Sequence, residues 1–88
     1  MAMITIRYWA AAKDAAGVAA ESLEAGTLAD ALAAALESRG QERGDRLRGI
    51  LDRSSFLIDG QPAGTRRHRD IRLPDTAVIE VLPPFAGG

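Results

Sequence analysis

A single amphipathic stripe constrains this chain more than any other feature. Leu28, Ala31, Leu32, Ala35 and Leu36 recur at spacings of three and four, behind a Thr27 that has Asp30 three residues on. That pattern predicts a helix with a capping-box-like start and one apolar face, closed by Gly40 just past its end with Arg39 in the last turn. Elsewhere the period falls to two. In residues 3–9, Ile4, Ile6 and Tyr8 face one way and Thr5, Arg7 and Trp9 the other, as a strand requires. A weaker strand is expected near 18–24, a short buried one at Phe56-Leu57-Ile58, an edge strand within 61–65 and a final strand over 77–82. Asp59-Gly60 marks a turn between two of them. Residues 10–17 read as a connecting turn whose alanines could form a helical turn, and 41–53 as a polar connection with one loose helical turn. Residues 66–70 read as a charged loop. One helix cannot cover both faces of a sheet of four to five strands. The expected class is therefore α+β, with one main helix packed on one face and the other face left to solvent or a partner.

At 88 residues the chain has material for one core. Its net charge of −1 gives no footprint for nucleic acid or an anionic membrane. No apolar run approaches the roughly 18 residues that span a bilayer, and the start lacks a signal-peptide pattern, so a cytoplasmic location is expected. Cysteine is absent, which removes disulfides, thiolate metal sites and any catalytic thiol. Sulfur carried by such a chain has no side chain to ride on as a persulfide.

The C-terminus offers the alternative. Residues 78–82 form the strand, Pro83 and Pro84 stop its ladder for want of an N–H, and Phe85-Ala86-Gly87-Gly88 follow. Residues 1–82 are thus expected to form the domain and 83–88 a flexible arm. Two terminal residues without side chains suit a channel too narrow for any others. The only reactive group there is the Gly88 α-carboxylate, an electrophile once another protein activates it.

The chain resembles the MoaD/ThiS family of ubiquitin-like sulfur carriers almost end to end. The matching pieces are Ile-Thr-Ile-Arg-Tyr-Trp-Ala with Lys13-Asp14 and Gly17, then Thr27-Leu28-Ala29-Asp30-Ala31-Leu32, and most specifically Val81-Leu82-Pro83-Pro84-Phe85-Ala86-Gly87-Gly88. Within that family it is similar to the branch that serves molybdopterin synthase as its small subunit. Asp59 stands where the family often has Asn, and Pro74-Asp75-Thr76 where it often has Asp-Gly-Asp. The resemblance implies a β-grasp, ubiquitin-like fold with a mixed sheet, its first and last strands side by side in parallel. It also implies a cycle. An E1-like (MoeB-like) adenylating enzyme would use ATP to make the Gly88 acyl-adenylate, and a sulfur donor protein would convert it to a thiocarboxylate. The tail would then enter the large (MoaE-like) synthase subunit, where sulfur builds the dithiolene of molybdopterin. The chain would be no enzyme by itself and would bind no cofactor or metal. It has neither a Gly-Lys-Ser/Thr phosphate loop nor a G-x-G-x-x-G.

In this reading Gly88 and Gly87 carry the chemistry, while Trp9, Lys13, Leu82, Pro83, Pro84, Phe85 and Ala86 meet partners. Trp9 and Leu82 fall on the face away from the helix, and near each other if the first and last strands adjoin. Lys13 reads equally as a surface ion pair with Asp14 or as a contact to the adenylating partner. His68 reads as a solvated loop residue, and Arg66, Arg67 and Arg69 as solvated charge. Three other functions fit the residues: sulfur carriage for thiamine, cysteine or tRNA thiolation, modification of lysines on other proteins, and an interaction module whose tail does no chemistry.

Overall fold

The computed structural model describes residues 2–84, and the expectations for Phe85, Ala86, Gly87 and Gly88 lie outside them. Strand β1 (Ala2–Tyr8) leads through helix α1 (Ala10–Ala16) to β2 (Ala20–Ala25), then to helices α2 (Leu28–Glu37) and α3 (Gln41–Leu51). Strands β3 (Ser55–Ile58) and β4 (Gln61–Pro62), a 3-10 turn (His68–Asp70) and β5 (Val78–Leu82) complete the order. The five strands make one mixed sheet, β2-β1-β5-β3-β4, with β5 parallel to β1 and the other pairs antiparallel.

The alternation in β1 is realised residue by residue. Ile4, Ile6 and Tyr8 are buried, and Ile79, Val81, Phe56 and Ile58 join them on the same side of the sheet. Leu28, Ala31 and Ala35 of α2 close over this surface, with Leu32 and Leu36 at the margin. Thr27 caps α2 as expected, its hydroxyl accepting the Asp30 N–H at 3.1 Å. At the Asp59-Gly60 turn both residues take positive φ, +51° and +83°, the backbone a two-residue hairpin needs. Asp59 also ties the turn to β5, for its Oδ1 accepts the Val78 N–H at 2.9 Å. The other face of the sheet, with Arg7, Val78, Glu80 and Leu57, has no helix over it.

Three helices rather than one main helix cover the apolar face. The segment read as a connection is α3, eleven residues long, with Gly44, Leu47 and Leu51 buried on one side. Its stripe is faint in sequence because one of its three members is a glycine. The two helices run close there: a Cβ at Gly44 would lie 3.4 Å from the Leu36 carbonyl oxygen of α2, in van der Waals contact. Gly40 accordingly does not end α2, which stops at Glu37 with Ser38 as its C-cap; it is the N-cap of α3. Arg39 therefore sits between two helices, not in a last turn. Residues 10–17 likewise form a helix, which Gly17 ends at φ +83°. A Cβ at Gly17 would also push aside the exposed Arg43 guanidinium of α3, whose Nη1 lies 2.5 Å away, but the positive φ is the stronger demand for glycine.

Gly49 differs from these glycines. It lies exposed within α3, with nothing within 4 Å of a built Cβ. Gly49→Ala should stabilise the fold by about 0.5–1 kcal/mol, the helix-propensity difference, read as a higher urea midpoint with an unchanged slope.

Candidate functional site: the end of the sheet where the tail leaves

Because β5 runs parallel to β1, the C-terminal ends of both strands reach the same edge of the molecule. Tyr8 pairs with Val81 there, and on the other side Ser55 of β3 pairs with Leu82. Leu82 and Pro83 are half-buried and Pro84 is exposed, so the chain emerges between its two neighbouring strands and the tail begins at the sheet's end.

Trp9 follows β1 directly and is 42% exposed. Its ring is held by Arg7, whose guanidinium carbon lies 5.2 Å from the ring centroid, a cation–π contact. Lys13 stands one turn along α1, its N–H directed to the Trp9 carbonyl at 3.4 Å. Arg7, Trp9 and Lys13 line one hollow of about 130 Å³ with Tyr8, Ala19 and Ala20. The structure thus brings Trp9 and Lys13 together and sets Leu82 on the adjacent strand. Larger hollows of about 460 and 470 Å³ lie along α3 among exposed charged side chains such as Glu42, Arg46 and Arg48, where no reactive group converges.

Beneath this surface lies a polar cluster that the sequence pattern did not disclose. The Tyr8 hydroxyl donates to Glu21 Oε2 at 2.6 Å, and Arg39 Nη2 donates to the same oxygen at 2.7 Å. Arg39 Nε also reaches the Ala16 carbonyl at 3.2 Å, and the guanidinium carbon lies 5.5 Å from the centre of the Tyr8 ring. The cluster pins β1, β2, α1 and α2 together below Trp9. Burial is the main reason the Tyr8 phenol is pushed far above its ordinary range, followed by the hydrogen bond to Glu21 and its negative charge, with Arg39 opposing. The strand register explains it: pairing sets Glu21 opposite Ile6, on the covered face, where an acid needs a partner.

Two smaller readings change. The Arg39–Glu21 pair is the one ion pair among the described residues, so Lys13 and Asp14 do not form the surface pair considered for them. His68 is not a solvated loop residue. It is half-buried, its ring edge-on to Phe56 with centroids 5.1 Å apart. Arg66, Arg67 and Arg69 are exposed around it. No group of three or more His, Asp or Glu side chains able to hold a metal occurs among the described residues. No helix there is long and apolar enough to cross a membrane.

An exposed tryptophan beside the tail's root makes a direct prediction. Trp9→Asp should leave the isolated domain folded, because the ring lies outside the core. It should weaken binding of a partner that covers this edge by about 2 kcal/mol or more. The single tryptophan supplies the readout: its emission should be that of a largely exposed indole in the free chain and move to the blue on complex formation.

A five-stranded mixed sheet with parallel first and last strands and helices on one face is the ubiquitin-like β-grasp. The ThiS family model matches residues 6–88, and the chain belongs to the ThiS family, in the ThiS/MoaD group with a ubiquitin-like sulfur-carrier fold. Among solved structures it is similar to small archaeal modifier protein 1 from Methanosarcina acetivorans, with 20% identity and a TM-score of 0.81 over 100% of this chain and 98% of that one. It is also similar to a candidate molybdopterin converting factor subunit 1 from Pyrococcus furiosus, with 19% identity and a TM-score of 0.72 over 97% and 100%. A third likeness is to a chain in the complex of subunits 1 and 2 of molybdopterin-converting factor from Helicobacter pylori, with 22% identity and a TM-score of 0.66 over 98% and 99%. At these identities the likenesses show the fold. Comparison with curated protein sequences returned no match.

Proposed function

We propose that this chain is a thiocarboxylate sulfur carrier, and that it serves as the small, sulfur-donating subunit of a molybdopterin synthase. An E1-like adenylating enzyme uses ATP to form the Gly88 acyl-adenylate, and a sulfur donor protein displaces AMP to leave a terminal thiocarboxylate. The large synthase subunit then takes the tail and supplies the active site. One observation carries this reading. The strand beside β1 runs off the sheet at Pro83 and Pro84 next to the exposed Trp9, so a short arm with one reactive carboxylate leaves from the surface a partner would grip. The family match reaches to Gly88. The absence of cysteine leaves the C-terminus as the place for sulfur. The solved complex of subunits 1 and 2 supports a large-subunit partner.

A second reading, attachment to lysines of other proteins through Gly88, is favoured by the likeness to small archaeal modifier protein 1. Intact-mass analysis of the chain from its native host separates the two. A terminal oxygen replaced by sulfur, with dithiolene formation on adding the large subunit and a pyranopterin precursor, supports the synthase reading. Conjugates on unrelated proteins without any sulfur-bearing form would replace it by the second.

A further inference from the structure

A basic wall stands across Leu82 and Pro83 from Trp9. Strands β4 and β5 both pair antiparallel with β3, so they run the same way, and the chain after Pro62 heads for the edge that Leu82 reaches. The Ala63 N–H bonds to the Phe56 carbonyl at 2.9 Å, and Phe56 lies opposite Val81. Two strand spacings, about 10 Å, thus separate Ala63 from Val81. Arg66 turns back at this edge, its Nε donating to the Ala63 carbonyl at 3.2 Å. Arg67 and Arg69 follow, and Arg53 lies two residues before Ser55, the partner of Leu82. All four arginines are exposed. The acids beside them are Asp52 and Asp70, yet the one ion pair among the described residues, Arg39–Glu21, includes none of these groups.

The wall is held in shape. His68 is anchored edge-on to Phe56, the Asp70 N–H bonds to the Arg67 carbonyl at 2.9 Å, and the Leu28 N–H bonds to the Ile71 carbonyl at 3.0 Å. Charges displayed on a fixed turn cost little ordering when a partner binds. Beside them Phe56, Leu57, Pro62, Ala63 and His68 line a hollow of about 240 Å³, room for an apolar side chain. Nucleic acid fits less well. The chain's net charge is −1, and bases stack on exposed aromatic faces, whereas Phe56 is buried and the exposed Trp9 stands on the other side of β5.

We propose that Arg53, Arg66, Arg67 and Arg69 form a docking surface for an acidic segment, bearing one apolar side chain, of the large subunit that takes the C-terminal arm. The root of the arm is then gripped from two sides, by an aromatic contact beside β1 and a basic one beside β4. The identity of the partner rests on the carrier reading; the surface and the acidic chemistry of its occupant do not. Titrating the isotope-labelled full chain with a synthetic Glu-Glu-Leu-Glu-Glu peptide tests it by NMR. Amide shifts are expected within 53–57 and 62–70, fading as salt rises, with Arg43 and Arg46 of α3 unmoved. Arg67→Glu combined with Arg69→Glu should lose those shifts and keep the wild-type urea midpoint. At low salt it should slow association with the large subunit by about tenfold or more. Equal shifts along α3, no shift in either segment, tighter binding of an oligouridylate of equal charge at these residues, or a double variant that associates as fast as wild type would overturn the proposal. A wild-type chain that answers the peptide as expected but does not bind the large subunit would instead count against the carrier reading.

Discussion

Deleting Gly88 is expected to abolish sulfur donation while leaving the melting temperature unchanged. The last buried residue of β5 is Val81, and the strand's pairing ends with Leu82 opposite Ser55. The deletion therefore removes no described core residue and no described sheet hydrogen bond. It shortens the arm by one residue and moves the carboxylate back to Gly87, about 3.5 Å short of where a partner's adenylating and sulfur-transfer groups would meet it. A catalytic group misplaced by even 1 Å costs of order a hundredfold in rate, so a displacement of this size should leave no measurable turnover. Dithiolene formation in a reconstituted synthase, set beside thermal unfolding, gives both halves of the result. Unchanged product formation by the truncated chain would end the carrier reading.

The second large effect is on stability. Arg39→Met should cost about 3 kcal/mol, the lower end of the range for breaking a buried ion pair. The Arg39 side chain is 7% exposed, and its loss leaves the Glu21 carboxylate facing the covered side of the sheet. The lower end applies because Glu21 keeps 21% of its side-chain surface in water. Adding Glu21→Gln should recover most of the loss, since a neutral amide oxygen still accepts the Tyr8 hydroxyl and no unpaired charge remains. Urea denaturation of the two variants measures this; equal destabilisation would show that packing of the Arg39 stem, rather than charge, carries the effect.

The same cluster sets an alkaline limit. The folded state raises the Tyr8 pKa above its unfolded value of 10.0, so it holds the phenol proton more tightly. That contribution is fully present below pH 10 and is lost as the pH climbs from there toward the folded value. The urea midpoint of the wild-type chain should fall above pH 10, and Tyr8→Phe should fall less steeply. Tyr8 is the single tyrosine, so phenolate absorbance should appear together with unfolding rather than before it.

Local chemistry made several elements legible in the sequence. Thr27 with Asp30 marked the start of α2, Asp59-Gly60 the hairpin turn, the Ile4-Ile6-Tyr8 alternation the faces of β1, and Pro83-Pro84 the end of β5. Each is settled by residues within a few positions of one another, through a cap, a positive φ, a period of two or a missing N–H. Helix α3 was not legible, because a buried glycine carries no hydrophobicity and the packing of α3 on α2 that buries it is a long-range matter. The direction of Arg39 was not legible either. A residue following a helix can face water or turn inward, and Glu21 across the fold decides which. The site divides in the same way. The sequence by itself determined that Pro83 and Pro84 follow a strand, and it is the ground on which the Gly-Gly carboxylate is proposed to carry the chemistry. Only the tertiary structure decided that this strand lies between β1 and β3 and ends level with Trp9, with Lys13 one helical turn away. Strand neighbours are chosen by burial summed over the whole sheet, and no stretch of sequence holds that information alone.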